Sequence, residues 1–449
     1  MDTDLLEEQI IELIENKKWD EVKERIVHWR APDISTFLMD LGHNEDLLSF
    51  FRMLPIELAA EVFSELNTDT QEYILANITD EQIKKILLEL EVDDRTELFE
   101  DIRQYDTQKL LELLPQEERT ETMHLLDYPE SSVGRLMTTD FIAVRASWTI
   151  TECLTYIRRD ENKEKLSDVI YVTDNNNRLV DYVNISDFIF GDDESSVESL
   201  LDYNVVKLSP TDDREKAIEL INHYHLIAVP VTDEHNILIG TVTFDDVMDV
   251  YREEVTEDFH LTSAIQPLER SYVTTRALSL FAKRTPWLLI LVAVNLLSGT
   301  VIAAFEGIIA KSISLIAFLP LLVASAGNAG SQSSTLIIRA MAMNELSNRS
   351  DAMKILFKDL IVSVMLGLCL ALGVYFVGWY KSGPRFGIVI SIAMFCLVIM
   401  GDLLGTLLPF VFKWFKLDPA IGSSPLVTSL ADILGGLIYF SLAAAILVS

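Results

Sequence analysis

The sequence has little cysteine and, over its first 270 residues, little positive charge. Its three cysteines, Cys153, Cys369 and Cys396, are scattered along 449 residues, which excludes a disulfide scaffold. Residues 1–270 hold 24 Lys and Arg against 62 Asp and Glu, a net charge of −38. An acidic region of this size repels phosphate, so nucleic-acid binding by charge is excluded.

The sequence also lacks a recognisable arrangement of catalytic residues. The sequence has no glycine-rich loop of the kind that holds phosphate groups, and its seven histidines are scattered without a nucleophile–base arrangement. We therefore expect a protein that is not an enzyme.

Residues 271–449 have the opposite character. They hold 12 Lys and Arg against 7 Asp and Glu, a net charge of +5, and they are mostly apolar. A helix needs about 20 apolar residues to span the hydrocarbon of a bilayer. Five segments qualify, at 286–305, 312–338, 360–380, 386–412 and 419–449. In the second segment we expect Pro320, Gly327 and Gly330 to break the helix.

Lys and Arg cluster on one side of these segments, before the first, between the second and third, and between the fourth and fifth: Arg276, Lys283, Arg284, Arg339, Arg349, Lys354, Lys358, Lys413 and Lys416. The positive-inside rule then places the N-terminal part in the cytosol and the C-terminus outside the plasma membrane. Because five is an odd number, one protomer has no simple two-fold repeat. A pore would more naturally form between the two protomers of a homodimer surrounded by membrane lipid.

The acidic part divides by pattern into two regions. Residues 5–130 repeat a polar cap and an apolar helical stretch at roughly 20–25-residue spacing, with starts near Pro32, Pro55, Thr79 and Val92. This pattern predicts a small helical superhelix.

Residues 136–250 have strand and turn signals and an internal repeat. The segments 170–174 and 183–187 align with 229–233 and 242–246, at an offset of 59 in both places. This repeat resembles a tandem pair of CBS domains, which usually sense a small ligand or ion. Residues 247–284 have few helix breakers, and we expect one continuous helix there.

Several motifs together resemble the MgtE family of magnesium channels and transporters. The motifs are Arg284-Thr285-Pro286-Trp287-Leu288, Glu254-Val255-Thr256-Glu257-Asp258, Gly327-Asn328-Ala329-Gly330-Ser331-Gln332-Ser333, Leu417-Asp418-Pro419-Ala420, and Pro425-Leu426-Val427-Thr428 with Asp432. The resemblance implies a multidomain fold: an all-α superhelical N domain (5–130), an α/β tandem CBS pair (136–198 and 199–250), a connecting plug helix (251–284) and a five-helix α transmembrane pore domain (285–449). It also implies a homodimer.

Asp432 is the strongest candidate for a residue that binds the ion in the pore. A charged carboxylate within an apolar helix is costly unless it is paired, so such acids are often functional. In a dimer two Asp432 side chains would face each other across the axis, and Mg²⁺ would supply the counter-charge. Because Mg²⁺ loses its water reluctantly, we expect the ion to pass hydrated. The resemblance adds the Thr428 carbonyl and Asn328 to this site. The alternative role for Gly327, Gly330 and the neighbouring serines is to let membrane helices pack closely.

The resemblance also assigns regulatory Mg²⁺ ligands among the acids, at Glu61, Asp93 and Glu97 in the helical domain, at Asp213, Glu215, Asp246 and Asp249 in the CBS pair, at Glu254, Glu257 and Asp258 in the connector, and at Asp359 and Asp418 in the membrane domain. Asp93 and Glu97 share a helix face at i, i+4. Bound Mg²⁺ would bridge these acids, draw the domains together and close the pore. Solvated surface charge is the alternative for most acids.

Four positions leave further questions open. Asp402 is a second acid in an apolar segment, with three alternatives: a position near an interface, a protonated side chain or a transport role. His225, in a loop where the family often has an acid, is a poor ligand for a hard cation. Ser331 and Ser424 stand where relatives can have Asn.

CBS pairs can also bind adenine nucleotides such as ATP. Asp187 and Asp246 would then face a ribose, and helix capping is their alternative role.

The sequence therefore predicts a Mg²⁺-selective channel that cytosolic Mg²⁺ closes. One alternative is a carrier that couples Mg²⁺ to Na⁺ or H⁺, which Asp402 would favour. Another is a non-conducting CBS sensor of Mg²⁺ or nucleotide.

Overall fold

The computed structural model describes residues 3–26, 28–102, 107–159, 168–268, 272, 275–310, 312–342, 346, 349–422 and 424–447. The chain forms two compact units, Met1–Glu253 and Glu254–Ser449.

The first unit begins with short helices: α1 (Thr3–Glu15), α2 (Trp19–Ile26), α3 (Ala31–Leu41), α4 (Glu45–Met53), α5 (Ile56–Ser64), α6 (Thr68–Asn77), α7 (Asp80–Glu89), α8 (Val92–Asp101), α9 (Thr107–Leu113), α10 (Gln116–Leu126) and α11 (Val133–Leu136). The predicted starts are confirmed. Pro32 lies in the first turn of α3, Pro55 precedes α5, and Thr79 forms a capping box with Gln82 at α7.

Alternate helices of this series stack side by side. Helix α3 packs against α5, α5 against α7, and α7 against α9. The apolar faces of these helices, together with those of α4 and α6, form one core that includes Phe50, Phe63 and Ile74, all fully buried. Each helix is too short to be stable alone, so burial of these faces stabilises the stack.

The CBS repeat follows. Its first copy contains β1 (Ala143–Arg145), α12 (Ile150–Ile157), β2 (Val169–Thr173), β3 (Leu179–Asn184) and α13 (Ile185–Phe190), and its second contains α14 (Arg214–Tyr224), β4 (Ala228–Thr232), β5 (Leu238–Thr243) and α15 (Phe244–Thr262). Strand β2 pairs with β1 in parallel and with β3 antiparallel, and β4 pairs antiparallel with β5. Leu208 forms a single parallel bridge with Val231 where the first copy has β1. The predicted offset of 59 relates β2 to β4 and β3 to β5.

The two copies meet at equivalent turns. Asn177 and Asn236 both have left-handed backbone, with φ of 60° and 64°. The Leu179 N–H donates to the Asn236 carbonyl (2.9 Å), and the Leu238 N–H donates to the Asn177 carbonyl (3.1 Å). The buried Tyr171 hydroxyl also hydrogen-bonds to the Thr241 hydroxyl. The two copies therefore pack as a pair related by a local two-fold.

The expected continuous helix over 247–284 is wrong. Helix α15 ends at Thr262, and the next helix begins at Ala277. Ala264 adopts a left-handed conformation with φ of 57°, and the Ile265 N–H donates to the His260 carbonyl (2.9 Å), which closes the helix end. Pro267 follows, and its missing backbone N–H disfavours a further helical turn there. His225, expected in a loop, is instead the left-handed residue that ends α14, which is helical up to Tyr224.

The second unit contains α16 (Ala277–Ala304), α17 (Glu306–Ile309), α18 (Ser314–Ala342), α19 (Arg349–Ser382), α20 (Pro384–Trp414), a 3-10 turn at Pro419–Ile421 and α21 (Ser424–Leu447). Within the described residues, five of these helices are long and apolar enough to cross a membrane. Helices α18, α20 and α21 pack against one another, and α19 packs on α20.

The expected break in α18 does not occur. The helix runs through Pro320, Gly327 and Gly330, because backbone groups in hydrocarbon must be bonded within the segment. The glycines instead allow close packing. A Cβ on Gly330 would overlap the Gly401 carbonyl, and one on Gly401 would overlap the Ala326 carbonyl. Helices α18 and α20 therefore touch along their backbones.

Candidate functional site: an acidic pocket and a polar seam

Helices α8 and α15 enclose an acidic pocket of about 170 Å³ in the first unit. Nine carboxyl groups line it, against two guanidinium groups: Asp93, Asp94, Glu97, Glu100, Asp101, Glu130, Asp246, Asp249 and Glu253, with Arg135 and Arg214. Arg135 pairs with Glu100 (3.3 Å between Nη1 and Oε2), and Arg214 pairs with Glu253 (2.9 Å between Nη1 and Oε2). The pocket therefore has a large excess of negative charge.

The crowded acids hold protons more tightly than usual. Burial, together with the charges of Glu91 and Asp246, raises the pKa of Asp94 to about 7. Partial shielding from water and the charge of Asp101 raise the pKa of Glu97 to about 8, although the residue as a whole is exposed. Burial also raises the pKa of Asp246 to about 6. Near neutral pH the pocket thus exchanges protons, and any cation that enters competes with them.

Asp93 is the most enclosed of these acids. Its side chain is buried, and its Oδ1 atom has no hydrogen-bond partner. Burial and the charge of Asp246 raise the pKa of Asp93 well above its ordinary range. Burying an unpaired carboxylate costs free energy, so a proton or a cation at this oxygen would stabilise the folded state.

Oxygen donors alone suit a hard ion such as Mg²⁺. Among the described residues, however, no three acids lie close enough to hold a bare metal ion together.

Of the predicted regulatory residues, the structure brings four together in this pocket: Asp93, Glu97, Asp246 and Asp249. Glu61 lies outside it, where its charge acts on Glu91. Asp213 and Glu215 are exposed and do not line it. The Asp213 side chain accepts a hydrogen bond from the Glu215 N–H (2.9 Å) and caps α14.

Sequence reasoning missed Asp94, Glu100, Asp101, Glu130 and Glu253. On α8 a signal was present, because the acids at 93, 94, 97, 100 and 101 recur at the spacing of one helix face.

A second cluster of acids lies in the second unit. Burial and the nearby charge of Asp418 raise the pKa of Asp258 to about 6, and Glu254 and Glu257 add negative charge. The Asp418 carboxylate also accepts a hydrogen bond from the Ala420 N–H (2.7 Å). The structure thus places Asp258 of the connector near Asp418. Asp359 is engaged elsewhere and accepts a hydrogen bond from the Thr406 hydroxyl (2.8 Å).

The predicted pore residues lie on α18 and α21, two helices that pack against each other. A Cβ on Gly327 would come within 3.0 Å of the Thr428 Cγ2 atom, so the two helices touch there. Thr428 and Asp432 are one turn apart on α21, and the Asp432 side chain is half-buried. Asn328, next to Gly327, is exposed on α18.

Ser331 and Ser424 extend this polar seam, which comprises Asn328, Ser331, Ser424, Thr428 and Asp432. The Ser424 hydroxyl donates to the Ser331 hydroxyl (2.7 Å). The two positions noted as departures from the family pattern therefore contact each other. A polar line along two membrane helices is unusual unless it faces water or protein.

The two nucleotide candidates have different surroundings. Asp187 is exposed near the start of α13. Asp246, its equivalent in the second copy, accepts a hydrogen bond from the Thr243 hydroxyl and lines the acidic pocket.

The chain is similar to curated proteins over most of its length. It is 33% identical to the magnesium transporter MgtE of Thermus thermophilus over 398 residues, which is 88% of each chain. The chain belongs to the MgtE family. It is also 28% identical to the magnesium transporter MgtE of Bacillus subtilis over 404 residues, covering 90% of this chain and 88% of that one.

The family models match separate stretches of the chain, which correspond to its helical region, its CBS repeat and its membrane helices. Residues 29–131 match the MgtE intracellular N domain, residues 133–191 and 197–253 match CBS domains, and residues 319–442 match the MgtE divalent cation transporter family. Two solved structures resemble the first unit. One is the cytosolic domain of the Mg²⁺ channel MgtE in complex with ATP (30% identity, TM-score 0.51, 54% of this chain and 98% of that one). The other is the soluble part of a magnesium transporter (26% identity, TM-score 0.52, 56% and 99%).

These relatives confirm the family and the fold class. The chain is a multi-pass membrane protein of a magnesium transporter family, and its relatives are named as transporters rather than enzymes.

Proposed function

We propose that this protein is a Mg²⁺-selective channel that cytosolic Mg²⁺ closes. The observation that supports it best is the acidic pocket, in which nine carboxyl groups face two arginines and the Asp93 Oδ1 atom has no partner. When Mg²⁺ is scarce, the pocket's charges repel one another. When Mg²⁺ is abundant, hydrated ions between α8 and α15 cancel the repulsion.

The same proposal assigns a role to the connector. Helix α15 carries Asp246 and Asp249 at its start and Glu257 and Asp258 further along, so one helix bears acids of both clusters. A change of packing at the pocket would therefore act on the segment that leads to α16. Mg²⁺ near Asp258 and Asp418 would add to this effect.

The polar seam is the proposed ion path. Asp432 supplies the negative charge, and Thr428 and Asn328 offer oxygens to the water shell of the ion. Because Asn328 is exposed and Asp432 is half-buried in one protomer, the seam needs a polar cover within the membrane. We propose a homodimer in which a second copy places its own seam opposite.

The basic ends of the membrane helices support the proposed orientation. Arg276, Lys283 and Arg284 flank or lie within the first turns of α16, Arg339 lies in the last turn of α18, and Lys413 lies in the last turn of α20. The positive-inside rule places these ends, and the first unit with them, in the cytosol. After five crossings the C-terminus would lie outside.

Mg²⁺ uptake by proteoliposomes tests the path. We expect Asp432→Asn to abolish uptake, whereas Glu306→Gln, which changes an exposed acid at the end of the first span, leaves it intact. Equal uptake by wild type and Asp432→Asn would contradict the proposed path.

The gate is tested by varying Mg²⁺ on the side of the first unit. A variant with Asp93→Asn, Glu97→Gln, Asp246→Asn and Asp249→Asn should need about tenfold more Mg²⁺ for half-closure, which corresponds to 1.4 kcal/mol. An unchanged Mg²⁺ dependence would remove the pocket from the mechanism.

A second ligand is supported by the relative solved with ATP. We propose that the CBS pair of this chain also takes an adenine nucleotide, with the exposed Asp187 beside the ribose. Calorimetry should show that Asp187→Ala weakens ATP binding, whereas Asp193→Ala, at another exposed acid after α13, does not.

A further inference from the structure

Asp402 is a buried acid that the proposed ion path does not use. It lies on α20 beside the close crossing with α18, and only 2% of its surface is exposed. The Ser333 hydroxyl of α18 donates a hydrogen bond to its Oδ1 atom. Its Oδ2 atom is buried and has no hydrogen-bond partner. The carboxyl group thus has one donor where an ionised group would accept several.

The surroundings offer no counter-charge. No Lys, Arg or His forms an ion pair with Asp402 in the part of the chain that the structure describes. Helix α19 instead presents Asp359, whose charge acts on Asp402. Thr406 lies between them, since its hydroxyl is 2.8 Å from the Asp359 Oδ2 atom and 3.0 Å from the Asp402 carbonyl oxygen.

The other packed helices add no cation. Helix α18 faces Asp402 with Ser333, and its single charged residue, Arg339, lies in its last turn. On α21 the titratable groups are Asp432 and Tyr439, and the Tyr439 hydroxyl donates to the Leu315 carbonyl at the opposite end of α18.

We propose that Asp402 is a proton-binding site of the membrane unit, with one proton held on Oδ2. A buried charge in a membrane must be paired or neutralised, and among the residues that the structure describes, the charged group that acts on Asp402 is another acid, Asp359. A metal ion would need several oxygen ligands around it, whereas a single orphan oxygen needs only a proton. The bound proton makes the carboxyl neutral and allows α18 and α20 to touch.

Loss of this proton places a charge inside the α18–α20 contact. Helix α18 also carries Asn328 and Ser331 of the polar seam, so its displacement would disturb the proposed path. Mg²⁺ flux should therefore fall at high pH in the wild type. In Asp402→Asn, which keeps the shape and stays neutral, this fall should be absent. The flux readout rests on the proposed function.

Infrared difference spectroscopy of the full chain in lipid vesicles tests the proton directly. We expect the C=O band of a protonated carboxylic acid at neutral pH, lost in Asp402→Asn and retained in the matched variant Asp432→Asn. Ser333→Ala should shift the band, because it removes the hydrogen bond to Oδ1. This second variant keeps the test available should Asp402→Asn fail to fold.

The outcomes separate the two proposals. A spectrum without a protonated-acid band from Asp402 across about pH 5 to 9 overturns the proton site. A band that responds to Na⁺ rather than to pH also overturns it, in favour of a cation. If the band behaves as expected and no chain conducts Mg²⁺, the proton site stands and the proposed channel fails.

Discussion

Asp93 of α8 and Asp246 of α15 act on each other as like charges within one pocket, and the charge of Asp246 helps to hold a proton on Asp93. The two residues lie 153 positions apart in the sequence. Their proximity gives the first unit a cluster of carboxyl groups that favours bound protons.

The first prediction concerns pH. Asp94, Glu97 and Asp246 have ordinary pKa values of 3.8, 4.5 and 3.8, which the fold raises to about 7, 8 and 6. Between about pH 4 and 8 the folded state thus holds more protons than the unfolded state, so stability falls as pH rises through this window. Without Mg²⁺, amide hydrogen exchange in α8 and the start of α15 should be faster at pH 8 than at pH 6, after correction for intrinsic rates.

Mg²⁺ supplies the control for this prediction. The ion replaces the lost protons, so its protection of α8 should be larger at pH 8 than at pH 6. Equal protection at both values would contradict competition between protons and Mg²⁺.

The second prediction concerns the charge of Asp93. Asp93→Asn removes a buried carboxylate with an unpartnered oxygen and should raise the free energy of unfolding of the first unit, without Mg²⁺ at pH 8, by about 1–3 kcal/mol. The stabilisation by added Mg²⁺ should shrink. Thermal unfolding of the full chain with and without Mg²⁺ measures both effects. Glu57→Gln, at an exposed acid of α5, is the matched control and should change neither.

The third prediction concerns the crossing of α18 and α20. Gly401→Ala puts a methyl group against the Ala326 carbonyl and should destabilise the membrane unit by about 1–3 kcal/mol. Gly373→Ala on α19 meets nothing within 4 Å and should be neutral or slightly stabilising. Thermal unfolding in detergent compares the two. A Gly401→Ala protein as stable as Gly373→Ala would mean that the helices are further apart.

The fourth prediction concerns the end of α15. Ala264 adopts a left-handed backbone at φ of 57°, which costs an L-residue about 1 kcal/mol and costs glycine little. Ala264→Gly should therefore slow hydrogen exchange across 254–268. Ala264→Val should speed it, because a branched side chain fits this conformation worse. If both variants exchange like the wild type, the helix does not end at this residue.

Local patterns predicted much of the fold. Caps at Pro55 and Thr79 marked helix starts because their chemistry acts within one turn. The offset of 59 between the CBS copies appears again in their strands and at Asn177 and Asn236. The membrane spans followed from apolar length. In contrast, the prediction of a continuous connector helix was wrong, because α15 ends at Thr262, just before the left-handed Ala264.

The acidic cluster shows where local reasoning stops. Spacing placed Asp93 and Glu97 on one face of α8, but nothing in the sequence showed that this face meets α15. Gly330 likewise suggested a broken helix, because an isolated helix disfavours glycine. Packed against Gly401, the same residue permits a contact that a side chain would prevent.

The sequence by itself determined the family, the order of the domains, the five membrane spans and the two acids within them, because composition, periodicity and motif spacing are properties of the chain. The tertiary structure decided which acids share a pocket and which oxygens lack partners. It joined Asp93 to Asp246, joined Ser331 to Ser424, and buried Asp402 against Ser333. These contacts depend on how distant helices pack, and the free energy of a charge depends on all the groups that surround it.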